Sequence, residues 1–220
     1  MARQEAIVTA PAPEFLSLLI AEAGLSVPPG AAEKLSAHAA MMLRWNRAIR
    51  LTAITDPEEV AVKHILDSLL LLRLSPFRGR ILDFGSGAGY PGIPLAVALP
   101  EAQVCFLESS GKKSSFLREV AAALSLKNIQ VFQERLGKNP PRHLGRFGQV
   151  VTRATLPPAE AASLLLPLLE PGGRLLLMAG AGKETGEEGA LPEGALPGRR
   201  FRFLLPLGMG TREIREIRVP

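Results

Sequence analysis

The sequence predicts an α/β fold in which a mostly parallel, seven-stranded sheet has helices on both faces and follows a helical N-terminal extension. Residues 35–49 repeat apolar side chains every three or four positions, which is a helical period. After residue 81, short apolar runs alternate with helical stretches, as in strands joined by crossover helices. A polar connection at residues 75–80 separates these patterns, so we expect a helical extension over residues 1–75 and a ligand-binding core over residues 76–220.

The N-terminal extension carries two helical signals. The first is an apolar face formed by Leu35, His38, Met42, Trp45 and Ile49. The second begins at Pro57, because Asp56 is a suitable N-cap and two glutamates follow where the helix dipole favours negative charge. This second helix is predicted to run to residue 72.

The core is predicted from the order of its elements. Strands are expected at residues 81–84, 103–107, 129–132, 148–152, 173–178, 201–205 and 213–219, and helices at 92–99, 112–125 and 158–170. Right-handed crossovers then fix most of the topology. Residues 180–200 are rich in Gly, Pro and Glu and predict a mobile loop.

Composition limits the class of protein. The 220 residues have a net charge of +5, which favours a polyanionic partner or reflects a GC-rich genome that encodes Arg in place of Lys. The single cysteine, Cys105, excludes an internal disulfide and a cysteine metal cluster, and the three histidines lack metal-ligand spacing, so no metal is expected. Glu5 and Glu14 interrupt any signal peptide, and no apolar run approaches the ~18 residues of a membrane span. We therefore expect a cytoplasmic protein.

A glycine-rich turn follows the first predicted strand. Residues 87–92 (GAGYPG) match the dinucleotide fingerprint G-x-G-x-x-G. That fingerprint needs free amides in the first turn of the next helix, and Pro91 has none. The alternative frame begins at Asp83 and places glycines at 85, 87 and 89. It suits S-adenosylmethionine better, because this ligand has no phosphate and its ammonium and sulfonium groups favour a nearby carboxylate such as Asp83.

The next strand ends at Glu108, about twenty residues after the turn. An acidic side chain at this position accepts hydrogen bonds from ribose hydroxyls in nucleoside-binding sheets. The alternative is that Glu108 is only a polar strand end. Together with the glycines, it favours a nucleoside ligand.

Several motifs occur in a fixed order along the chain. They are WN at 45–46, LTAI at 51–54, KHILDS at 63–68, GSGAGYPGIP at 85–94 after Asp83, ES at 108–109, KK at 112–113, FL at 116–117 and TRA at 152–154. This order resembles the RsmG family, also called glucose-inhibited division protein B, over roughly residues 40–220. The resemblance implies a Rossmann-like class I methyltransferase that uses S-adenosylmethionine and methylates N7 of a guanine in the decoding region of 16S ribosomal RNA.

The resemblance also implies site residues, in addition to those of the glycine turn. Expected cofactor contacts are Gly85, Ser86, Gly87, Gly89, Tyr90, Glu108, Ser109, Ser110, Leu136, Gly137 and Arg153. Expected RNA contacts are Lys112, Lys113 and Arg135. The sequence departs from the family pattern at Arg50, Gly148, Ala179 and the pair Leu136-Gly137. Ala179 replaces a lysine near the substrate, and Leu136-Gly137 leaves only backbone contacts for an adenine.

Guanine N7 carries a lone pair and no proton, so its methylation needs alignment and not a general base. Arg153 is expected to position the reactants, with packing over the end of the sheet as the alternative. His64 and Asp67 are three residues apart and form either a catalytic pair or, as we expect, a buried hydrogen-bonded link between helix and core.

Two other classes of protein are consistent with single features of the sequence. A nicotinamide-dependent oxidoreductase would use the G-x-G-x-x-G match, and an inactive RNA-binding protein would keep only the fold. The expected partner is 16S ribosomal RNA or a small-subunit assembly intermediate. Nothing in the sequence requires a dimer, so a monomer is expected.

Overall fold

A computed structural model describes residues 9–77, 79–137, 140–153, 156–179 and 191–220. The N-terminal extension begins with α1 (Pro13–Glu22) and α2 (Ala31–Asn46). The predicted apolar face of α2 is confirmed from Leu35 to Trp45, whereas Ile49 lies beyond the end of the helix. The helix after Asp56 also begins as predicted, because the Asp56 carboxylate accepts a 3.0 Å hydrogen bond from the Glu59 amide.

The second helical segment differs from the uniform helix that the sequence predicts. It consists of α3 (Pro57–Val60), a π-helical stretch (Ala61–Leu66), α4 (Asp67–Leu69) and a 3-10 stretch (Leu70–Leu74). Wide π-helical turns are rare and occur often at functional sites. Here the π-helical stretch includes His64, which faces the glycine turn.

The sheet has the predicted seven strands. They are β1 (Ile81–Phe84), β2 (Val104–Leu107), β3 (Ile129–Phe132), β4 (Phe147–Arg153), β5 (Leu169–Ala179), β6 (Leu196–Leu204) and β7 (Thr211–Arg218). Their order is β3-β2-β1-β4-β5-β7-β6. The first five strands are parallel, and β7 is antiparallel to both β5 and β6.

Three helices connect the parallel strands: α5 (Gly92–Ala98), α6 (Gly111–Ala123) and α7 (Pro158–Leu165), the last extended by a 3-10 turn (Leu166–Leu168). Another 3-10 turn (Arg142–Leu144) precedes β4. Apolar residues of α1, α2, α5 and α6 form one buried cluster with one face of the sheet. Those of α7 form a second cluster with the other face. The helical extension therefore shares its core with the sheet, and the division at residue 75 stays a prediction.

The predicted loop at residues 180–200 is partly wrong. Residues 180–190 lie outside the described residues, but β6 begins at Leu196, five residues before the predicted strand. Pro197 and Gly198 weaken a strand pattern, yet β6 is the outermost strand and its pairing with β7 shifts between Pro197 and Arg200. An edge strand with such an irregularity tolerates both residues. Among the described residues, no helix is long and apolar enough to cross a membrane.

Candidate cofactor site at the carboxyl edge of the sheet

The candidate site lies where the strand order changes direction. β1 pairs with β2 on one side and with β4 on the other, and all three strands are parallel. The chain passes from β1 to one face of the sheet and from β4 to the other, so the two loops diverge and form a crevice between them. Open α/β sheets bind their ligands in such a crevice. The ends of β1, β2 and β4 bring together the glycine turn, Glu108 and Arg153.

The glycine turn depends on backbone conformations that side chains disfavour. Gly85, Gly87 and Gly89 have φ values of +71°, +52° and +85°. At Gly89 a Cβ atom would lie 2.6 Å from Ile93 Cγ1, so the turn also packs tightly against α5. The Ser86 hydroxyl donates a 2.8 Å hydrogen bond to the Asp83 carbonyl and closes the turn on β1.

The first turn of α5 has no amide available for a pyrophosphate. Pro91 and Pro94 lack an N–H group. The Gly92 amide donates to Asp83 Oδ2 at 2.8 Å, and the Ile93 amide donates to the Gly89 carbonyl at 2.7 Å. This arrangement disfavours a dinucleotide, because such a cofactor needs those donors.

Asp83 has a different position from the one expected of a ligand-binding carboxylate. Only 1% of the residue is exposed, and its side chain accepts the Gly92 amide beneath the turn. Burial raises the pKa of Asp83 to about 7, although the Gly92 amide and Arg153 oppose this shift. Asp83 therefore fastens the glycine turn to the start of α5.

Glu108 joins the end of β2 to the turn after β1. One carboxylate oxygen accepts the Gly87 amide at 3.0 Å and the other accepts the Ser110 amide at 2.8 Å. Each oxygen of an ionised carboxylate has a second acceptor site, so both could also accept ribose hydroxyls. The residues therefore fit a nucleoside that has no phosphate: an open glycine backbone, a fixed carboxylate and a first turn of α5 whose amides are already paired.

Arg153 ends β4 and connects it to the helical extension. Its guanidinium donates to the Lys63 carbonyl at 3.1 Å and lies 3.5 Å from Asp67 Oδ2 and 3.2 Å from His64 Nδ1. It also lies 5.5 Å from the centre of the Tyr90 ring. Eighteen per cent of the side chain remains exposed, at the carboxyl end of β4.

Tyr90 is held between two imidazoles. Its ring centre lies 4.7 Å from that of His38 and 4.6 Å from that of His64. Burial lowers the pKa of His38 to about 4 and that of His64 to about 3, where the charge of Arg153 adds to the effect. Both rings are therefore neutral at pH 7. Only 3% of Tyr90 is exposed, and its contact with a cofactor stays a prediction.

The expected link through His64 and Asp67 is present, but it passes through arginines. Asp67 is fully buried and binds both Arg153 and Arg212 of β7. Arg212 also donates to the Ala179 carbonyl at the end of β5. Arg212 is not identifiable from the sequence, because no local pattern connects β7 to a residue 145 positions earlier.

Comparisons with known proteins agree with this geometry. The family model described as GidB, rRNA small subunit methyltransferase G, matches residues 31–191. The chain belongs to this family. A ribosomal RNA small subunit methyltransferase G from Anaeromyxobacter sp. is 42% identical over 204 residues, which cover 90% of this chain and 94% of that protein. The protein of the same name from Alkalilimnicola ehrlichii is 44% identical over 171 residues, with 77% and 75% covered.

Membership of the GidB family confirms the predicted resemblance, the class of enzyme and S-adenosylmethionine as the cofactor. Solved structures confirm the Rossmann-like class I fold of this methyltransferase. One is a SAM-dependent methyltransferase from Aquifex aeolicus, with a TM-score of 0.57 at 17% identity, covering 83% of this chain and 98% of that one. Another is an RNA methyltransferase from Salinibacter ruber in complex with S-adenosyl-L-homocysteine, with a TM-score of 0.51 at 16% identity, covering 70% and 90%.

The remaining predicted site residues of this GidB-family methyltransferase lie beside β2 and β3. Ser109 and Ser110 follow Glu108, and Lys112 and Lys113 lie in the first turn of α6. Arg135 is exposed after β3. The Leu136 side chain packs in the core cluster around α7, while Gly137 is exposed with no described atom within 4 Å of an added Cβ. The cofactor and RNA contacts of these residues stay predictions. Among the described residues, no group of His, Cys, Asp and Glu side chains forms a metal site.

Proposed function

We propose that this methyltransferase modifies N7 of a guanine in the decoding region of 16S ribosomal RNA. The observation that carries the cofactor assignment is the glycine turn, where Asp83 and Gly89 engage the amides at the start of α5 and Glu108 fixes the turn from β2. The RNA substrate is supported by the names of the relatives, which are ribosomal RNA small subunit methyltransferases. The guanine and its N7 follow from the family resemblance of the motifs.

Cofactor binding is proposed to use the backbone of residues 85–89 and the carboxylate of Glu108. Gly87 leaves the surface of the turn open, because an added Cβ would meet only the Gly85 carbonyl at 3.8 Å. Glu108 would accept the ribose hydroxyls, since both its oxygens are held in place by backbone amides. Gly137 would let backbone after β3 approach the adenine without a side chain in between.

The described residues at the crevice suit a transfer that moves no proton. S-adenosylmethionine supplies a methyl group on a sulfonium, and guanine N7 offers a lone pair. His38 and His64, with pKa values of about 4 and 3, are weak proton acceptors, and Asp83 is sealed beneath the turn. Methylation of a hydroxyl would need a base, whereas methylation of N7 needs only alignment.

Arg153 is proposed to provide that alignment. Lys63 and His64 of the π-helical stretch and Asp67 at the start of α4 hold its guanidinium from one side, and the Tyr90 ring lies against it. A side chain fixed in this way loses little freedom when it contacts a ligand. Lys112, Lys113 and Arg135 are proposed to contact RNA phosphates. The monomeric state and the cytoplasmic location stay predictions.

The decisive experiment combines ligand binding with mapping of the modified base. We expect calorimetry to detect S-adenosylhomocysteine and no heat with NADH. Purified enzyme and labelled methyl donor should modify small subunits or 16S RNA from a strain that lacks the enzyme. Cleavage at methylated guanines, followed by primer extension, should give one stop in the decoding region. NADH binding without S-adenosylhomocysteine binding would reject the function, and methylation confined to another RNA would reject the substrate.

A further inference from the structure

The C-terminal hairpin of β6 and β7 carries most of the net charge of the protein. Residues 196–218 contain six arginines and two glutamates, which is a net charge of +4 in a chain with +5. We propose that the exposed edge of this hairpin binds the phosphate backbone of the substrate RNA beside the target guanine. We call this surface the arginine edge and define it as Arg199, Arg200 and Arg202. The proposal rests on the RNA substrate proposed above.

The arginine edge lies in line with Arg153 across the sheet. The register pairs Arg153 with Met178, Met178 with Ile214, and Ile214 with Phe201. Neighbouring strands are about 4.8 Å apart, so Phe201 lies roughly 15 Å from Arg153 along this row. Arg200 and Arg202 flank Phe201 in the strand, so their side chains project from the face of the sheet opposite to Phe201 and the Arg153 side chain. An RNA strand that leaves the crevice across the carboxyl edge of the sheet would reach them within a few nucleotides.

The arginines project outwards from a fixed base. Phe201 and Phe203 alternate with Arg200 and Arg202 and pack against the core cluster of the helical extension. The guanidinium of Arg199 lies 5.3 Å from the centre of the Phe201 ring. Arg202 binds Glu213 at 2.9 Å, and yet 65% of its side chain is exposed. Arg199 likewise lies 3.8 Å from Glu216 and keeps 69% of its side chain exposed. These contacts orient the guanidinium groups of Arg199 and Arg202 at the surface, where a phosphate oxygen can approach them.

The charge of the arginine edge is complementary to a polyanion. Phe201 and Phe203 face the core and are partly buried, whereas Leu196 and Leu204 at the two ends of the strand are 49% and 83% exposed. The two glutamates of the hairpin lie on β7, which is buried behind β6, so the outermost strand has arginine as its only charged residue type. Electrostatic binding of RNA requires only such a positively charged surface, because phosphates supply most of the affinity.

The test measures how RNA binding depends on salt. Arg200→Gln with Arg202→Gln removes two charges and keeps hydrogen-bonding side chains. The matched control is Lys127→Gln with Arg146→Gln. It removes two exposed charges just before β3 and β4, at the amino ends of these parallel strands and away from the crevice. Fluorescence anisotropy with unmodified 16S RNA transcript gives log affinity against log salt. The slope should become shallower by about 1.4–1.8 in the first variant, at 0.7–0.9 per lost contact, and stay unchanged in the control.

Further measurements separate failure of this proposal from failure of the proposed function. S-adenosylhomocysteine binding should be equal in all variants, which shows that each is folded. Arg200→Lys with Arg202→Lys should restore the slope, because lysine keeps the charge. If wild-type enzyme methylates the RNA and the Gln pair retains the full salt slope, the arginine edge is not an RNA surface. If the wild-type enzyme neither binds nor methylates 16S RNA, the proposed substrate is wrong.

Discussion

The imidazole of His38 donates a 2.9 Å hydrogen bond to the carbonyl oxygen of Ala88, fifty residues later in the chain. His38 belongs to α2 of the helical extension, and Ala88 belongs to the glycine turn. Both residues are buried, so the bond is protected from competing water. The helical extension therefore helps to hold the cofactor turn in shape, together with His64, whose ring stacks on Tyr90.

Replacing His38 with Gln should change how stability depends on pH. Gln can keep the donor to Ala88 but does not titrate. The pKa of His38 is about 6.5 in the unfolded chain and about 4 in the folded protein, because of burial. As pH falls through this window the unfolded chain takes up the proton first, so the wild type loses stability by up to about 1.4 kcal/mol per pH unit.

The measurement is the free energy of unfolding in urea at pH 7, 6 and 5 for both proteins. The difference in the free energy of unfolding, wild type minus His38→Gln, should decrease as pH falls. His64 is present in both proteins, so its titration largely cancels in the comparison; the charge of His38 contributes to the lowered pKa of His64 only after burial, Arg153 and the Lys63 backbone. A difference that is constant over the three pH values would show that the buried ring does not resist protonation.

Replacing Glu108 with Gln should weaken cofactor binding. In the proposed site each carboxylate oxygen accepts a ribose hydroxyl beside a backbone amide, and Gln replaces one of these acceptors with an NH2 donor. An unsatisfied polar group buried under the ligand costs about 1–3 kcal/mol, so the dissociation constant of S-adenosylhomocysteine should rise about 5- to 150-fold. Calorimetry measures this, with Glu101→Gln before β2 as the control that should bind normally. Equal affinity in both variants would remove Glu108 from the site.

Much of this structure could be predicted because its signals are local. The N-cap at Asp56 and the turn after Asp83 each depend on residues within ten positions, and alternating apolar runs identify a parallel sheet. The extent of β6 was missed because Pro197 and Gly198 disfavour a strand everywhere except at an edge. A sequence pattern does not reveal which strand will be outermost.

The candidate site was only partly predictable, for a related reason. The glycines and Glu108 follow a known spacing, but the partners of Arg153 come from a π-helical segment about ninety residues earlier. A helical period of 3.6 residues would not identify that wider turn. The Asp67–Arg212 pair likewise exists only because β7 inserts between β5 and β6.

Substitution by Ala should destabilise the protein at Gly92 and leave its stability nearly unchanged at Gly137. A Cβ at Gly92 would lie 2.3 Å from the Phe106 ring and 2.6 Å from Asp83 Oδ2, so the start of α5 would have to move. Overpacking of this kind costs about 1–3 kcal/mol or more. A Cβ at Gly137 would have no described atom within 4 Å. The free energy of unfolding of Gly137→Ala should therefore lie within about 0.5 kcal/mol of the wild-type value. Thermal and urea unfolding measure the stability of both variants, and a Gly137→Ala variant less stable than Gly92→Ala would contradict this prediction.

Replacing Arg153 with Ala tests whether it positions the reactants or only anchors the fold. If it positions them, single-turnover methyl transfer by the folded enzyme should fall about 10- to 100-fold, because small misplacements strongly affect an aligned transfer. S-adenosylhomocysteine affinity should change much less than the rate.

The control for Arg153→Ala is Arg212→Gln, which disturbs the same Asp67 carboxylate from the side of β7. Both variants should lose stability, since each removes one partner of a buried carboxylate. Only Arg153→Ala should slow the transfer, because Arg153 alone of the two lies against Tyr90 and the crevice. Wild-type single-turnover rates in both variants would leave Arg153 with a purely structural role, in which it fastens the helical extension to the end of β4.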